Sequence, residues 1–98
     1  MTPTEQAAII VRRVSKASGL PSIQIIGKRR SRGLPAARWA CWLAMRECGH
    51  TFQVISEIFY APDPSAIIKG VKRAKRLRES CPEYAAICAA GNFQITAK

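Results

Sequence analysis

The run from Asp63 to Arg78 constrains the fold of this chain more than any other segment, because its apolar residues and its charges separate onto two faces of a helix. Ile67, Ile68, Val71, Ala74 and Leu77 return every three or four residues and line one stripe. Ser65, Lys69, Lys72, Arg73 and Arg76 fall on the opposite side, and the ten residues from Lys69 to Arg78 carry six positive charges. Asp63 supplies a side-chain acceptor suited to an N-cap, and Pro64 suits the first helical position, where a missing N–H costs nothing. Such a helix needs other helices to cover its stripe, and its cationic face wants a polyanion.

The remaining punctuation is also helical. Thr4 is expected to cap a first helix to about Ala17, with Ala7, Ile10, Val11 and Val14 buried. Gly19 then stops it, and Pro21 prevents a quick restart. Ser22 to Ile26, as one helical turn or a brief extended piece, is expected to plug the core. A second helix runs from Pro35 to Cys48 with Gly49 as its stop. Its many alanines and apolar residues suit a central helix touched on several sides, with Trp42 in the core and Trp39 partly exposed. Thr51 caps a short helix through Phe59, with Phe52, Ile55 and Phe59 inward. Pro82 opens a last segment that Gly91 ends. The fold class expected is all-α, a small helical bundle. Residues 1–90 form a single domain, and 91–98 form a tail that the pattern leaves free to be disordered.

Composition limits the partners. Sixteen Lys plus Arg against six Asp plus Glu leave a net charge of +10 on 98 residues, a surplus that acts through attraction to phosphates or anionic lipid. A hydrophobic fraction of 48% argues against a disordered basic tail. No apolar run approaches the roughly 20 residues needed to cross a membrane. Ala7 to Val11 lies between Glu5 and Arg12-Arg13, which is not the layout of a secretion signal. A cytoplasmic, nucleoid-associated protein without a membrane partner is therefore expected. Cys41 and Cys48, and again Cys81 and Cys88, are seven residues apart, and none forms a Cys-x-x-Cys pair. They are read as small core thiols, since the spacing, even with His50 added, matches no common zinc pattern. No Gly-x-x-x-x-Gly-Lys-Ser/Thr element and no acid–base pair is present, so neither an enzyme nor a bound cofactor is expected.

Two segments carry binding chemistry. Gly27 to Gly33 packs four cations into five residues, Lys28, Arg29, Arg30 and Arg32, and such a loop is expected to touch phosphates or a groove. The Thr51-capped helix, the connection Tyr60-Ala61-Pro62 and the Asp63 helix together describe a helix-turn-helix. In that motif the second helix enters the major groove through its N-terminal residues. Asp63, Ser65, Lys69, Lys72 and Arg73 are its candidate contacts.

The order and spacing of these parts, over roughly Ile9 to Arg78, resemble the C-terminal DNA-binding domain of the bacterial replication initiator DnaA, a Trp-repressor-like helical fold. The loop Gly27-Lys28-Arg29-Arg30-Ser31-Arg32 is the closest local match. The resemblance implies that Arg30 enters the minor groove and that Arg38 and Arg46 lie near the phosphate backbone. Where that family has Arg-Asp-His-Thr/Ser-Thr at the head of its recognition helix, this chain reads Pro62-Asp63-Pro64-Ser65-Ala66. Pro64 and Ala66 offer only apolar contact, for example with a thymine methyl, while Lys69 is a substitute reader. The phosphate-binding cations remain, so affinity is expected to outlast sequence choice. The family's ATPase portion has no counterpart in these residues. The expectation is a double-stranded DNA-binding regulator of transcription or replication, of the kind a phage or mobile element carries. The alternatives are a module for an acidic protein partner and a nonspecific nucleic-acid binder.

Overall fold

A computed structural model describes residues 2–20, 25, 34–59 and 63–91. Five helices and no strand are found among the described residues, so the chain is all-α. They are α1 (Pro3–Ser18), α2 (Leu34–Glu47), α3 (Phe52–Ile58), α4 (Pro64–Ser80) and α5 (Pro82–Gly91).

Local chemistry sets the ends. Thr2, not Thr4, caps α1: its extended backbone lets Oγ1 accept from the Glu5 N–H at 3.1 Å, and Pro3 takes up the first turn. Thr4 therefore lies one residue inside the helix. At the other end Gly19 adopts the left-handed conformation (φ +78°) that side chains disfavour, and its N–H bonds the Ser15 carbonyl at 2.9 Å. Gly49 closes α2 with φ +100°. Thr51 caps α3 by accepting from the Val54 N–H at 3.2 Å. Gly91 is the last residue of α5 rather than a stop beyond it, and it is buried. A Cβ there would lie 2.9 Å from Val14 Cγ2, so the absence of a side chain lets α5 approach α1.

The second helix is the centre of the molecule. Every residue from Ala40 to Met45 is buried, because α1, α3, α4 and α5 all pack on α2. Ile10 and Val14 of α1, Ile55 of α3 and Ile67 of α4 complete the core. Buried Ile25, though isolated among residues outside the description, belongs to it too, as the core-plug reading of 22–26 expects of that residue. Phe59 is buried and Phe52 only half-buried. The Tyr84 hydroxyl of α5 donates to the Ala36 carbonyl at 2.6 Å and ties the last helix to the start of the central one. Cys41 and Cys88 are buried, and burial raises both thiol pKa values, that of Cys88 to about 11. Thiols held protonated in this way are poor nucleophiles and serve as packing. Among the described residues no helix is long and apolar enough to cross a membrane.

Candidate nucleic-acid interface

Helix α4 forms as its pattern dictates. Ile67, Gly70, Val71 and Ala74 are buried, whereas Ile68 and Leu77 are only half-buried at the edges of the stripe. Ser65, Lys69, Lys72, Arg73, Lys75 and Arg76 are all exposed. At 3.6 residues per turn, Ser65, Lys69, Lys72, Arg73 and Arg76 span an arc of about 100°. The one acidic residue of α4 is Glu79, in its last turn.

The head of the helix is closed by its own residues. Asp63 Oδ1 accepts from the Ser65 N–H at 2.8 Å, from the Ala66 N–H at 3.3 Å and from the Ser65 hydroxyl. The Ser65 hydroxyl and the Ala66 amide, with help from nearby Lys69, favour the ionised carboxylate and hold its pKa below the ordinary 3.8. Asp63 is thus a cap before it is anything else, and the N-terminal amides already have an anion.

Where α4 crosses α2, a groove of about 360 Å³ opens between Trp39 and Trp42 on one side and Asp63, Ser65, Ala66, Lys69, Gly70 and Arg73 on the other. Gly70 permits the crossing. A Cβ on it would fall against Cε3 and Cζ3 of Trp42 and 2.7 Å from Cδ1 of Trp39. Trp42 is buried, and its indole N–H has no acceptor among the described residues. Trp39 is half-buried, with the Arg73 guanidinium over its ring at 5.4 Å from the centroid. Farther along the crossing, Arg78 and Glu47 form an ion pair at 3.4 Å. Both are about one-third exposed, so the pair adds little stability.

The structure brings Asp63, Ser65, Lys69 and Arg73 together around this groove, with Lys72 on the adjoining outward face. Arg38 and Arg46 do not line it. Arg38 Nε donates to the Ile25 carbonyl at 2.8 Å and fastens that residue to α2. Arg46 Nη1 donates to the His50 carbonyl at 3.0 Å, and its guanidinium lies 4.4 Å from the centre of the Phe52 ring, stapling the α2–α3 turn. Lys28, Arg29, Arg30 and Arg32 lie outside the described residues. Trp39, Trp42 and Gly70 line the groove although the sequence gives none of them a binding role, placing Trp42 in the core and leaving Trp39 partly exposed. An interior glycine on the apolar stripe of a helix is itself a sign of close approach by another element.

No family model matches this sequence, and neither a curated protein nor a solved structure matches the chain.

Proposed function

We propose that this protein binds double-stranded DNA as a small regulator of transcription or replication. Helix α4 lies in the major groove, α3 and α4 act as a helix-turn-helix, and the Lys28–Arg32 loop reaches the adjacent minor groove. The observation that carries this reading is the outward face of α4, where Lys69, Lys72, Arg73 and Arg76 stand exposed on one side of a helix whose other side is held by the core. A 17-residue helix is about 25 Å long, and the major groove, about 12 Å wide, admits one. The likeness of the order of parts to a DnaA C-terminal domain supports the same docking. Arg38 and Arg46 have bonding partners within the protein, so α4 and the basic loop supply most of the phosphate contacts.

Counterion release provides the test. If about six to eight phosphates are neutralised, log affinity falls against log salt with a slope of roughly −5 to −7. A labelled duplex titrated at several salt concentrations measures it. A flat dependence, or no binding at low salt, overturns the reading. Stoichiometric capture of an acidic protein, with duplex affinity no better than that of a generic basic protein, assigns the cationic face to that partner instead.

A further inference from the structure

Resting on that reading of α4, we propose that the groove between α2 and α4 receives the C5-methyl edge of a thymine in the duplex major groove. Trp39 and Ala66 are its apolar walls, and Lys69 is the donor to the neighbouring base edge. Elimination leads there first. Asp63 Oδ1 already accepts three bonds, and the Ser65 hydroxyl gives its one proton to that carboxylate. The Ser65 proton and one of the two Asp63 carboxylate oxygens are therefore engaged in the cap. Beside them the groove offers a base half-buried Ala66, exposed Lys69 and the edge of Trp39.

The state of Trp39 decides the kind of contact. Stacking a base needs a free ring face, but Arg73 already lies over the Trp39 ring and Gly70 presses close to Cδ1. The tryptophan offers an apolar rim, which matches a methyl group better than an aromatic base. The surroundings choose the ligand class. Lys69 and Arg73 line the groove together with the Asp63 carboxylate, so its charge is net positive, and Trp39, Trp42 and Ala66 supply its apolar surface. Among major-groove edges, thymine alone presents a methyl, and a neighbouring purine presents the N7 acceptor that an ammonium group can reach.

The probe is an alternating adenine–thymine duplex, compared with the same duplex carrying deoxyuridine for thymidine, so that the two differ only in the C5-methyl groups. The wild-type protein is expected to bind the thymine duplex about fourfold more tightly per methyl contacted, the yield of burying one such group. Trp39→Ala is expected to bring the ratio near one with the salt slope unchanged. Because Trp39 is half-buried, a second variant guards against misfolding: Ala66→Gln suits its position in the first turn of α4 and fills the groove with a polar amide, and it too is expected to abolish the ratio. Equal affinity of the wild type for the two duplexes overturns the inference and leaves duplex binding standing, as does a ratio undiminished in both variants. Binding to neither duplex overturns the DNA-binding reading itself. Tighter binding of single-stranded oligothymidine than of either duplex gives the groove to a stacked base, and that also overturns the inference.

Discussion

Gly70 sits where a methyl group has no room. Helix propensity alone favours alanine there by about 1 kcal/mol, yet an added Cβ meets the buried Trp42 ring and the Trp39 edge. Forcing an atom into a packed site costs about 1–3 kcal/mol, so the packing cost outweighs the propensity gain. Gly70→Ala is expected to lose up to about 2 kcal/mol net, read as a lower urea midpoint with an unchanged slope. A variant as stable as the wild type would mean that α2 and α4 do not approach this closely. The same scale separates two kinds of cation. Arg38 and Arg46 bond carbonyls within the protein, and removing either disturbs a turn or an anchored segment before it touches any ligand. Lys69 and Lys72 stand in water, and their removal is expected to act on binding and leave stability nearly unchanged.

At the scale of the element, α4 depends on its cap, and the cap titrates. Asp63 has its pKa lowered in the folded protein, chiefly by the Ser65 hydroxyl and then by the Ala66 amide. A lowered value means that the ionised carboxylate stabilises the fold fully above the ordinary 3.8, and that this contribution fades as pH falls through the lower folded value. The gap in melting temperature between wild type and Asp63→Ala is therefore expected to stay constant from neutrality down to about pH 5 and to shrink below about pH 4. The other carboxylates titrate in both proteins and cancel. A gap that persists to strongly acid pH would remove the charge from the cap's role. Much of α4 was legible beforehand, because Asp63-Pro64, the apolar stripe and the cationic face are properties of consecutive residues. The cap of α1 was misplaced because Thr2 and Thr4 both have the right oxygen, and only the position of Pro3 in the first turn separates them. The groove was legible only in its α4 half, through Asp63, Ser65, Lys69, Arg73 and the interior Gly70. Periodicity says which face of α2 and which face of α4 are apolar, but not which turns meet, and the meeting of Trp39 with Gly70 and Arg73 is a fact of crossing geometry.

For the whole molecule, one helix does most of the organising. With α2 buried from Ala40 to Met45 and touched by the other four described helices, no pair of helices has a separate core. Loss of one is felt by all, which is the condition for a single cooperative unfolding step. The net charge of +10 works against that compact state by self-repulsion. A bound polyanion relieves the repulsion and adds the mass-action stabilisation of any ligand that prefers the native form. The two tryptophans allow this to be followed optically. Both line the groove, but Trp42 is only 8% exposed, whereas the half-buried Trp39 has a cation beside it. Acrylamide is expected to quench the emission of the free protein mainly through Trp39 and to lose that access when duplex occupies the groove. Duplex that leaves the quenching of Trp39 unaltered is seated elsewhere on the surface. If duplex does occupy the groove, the chain carries its own optical reporter there and needs no attached dye to show where that ligand sits.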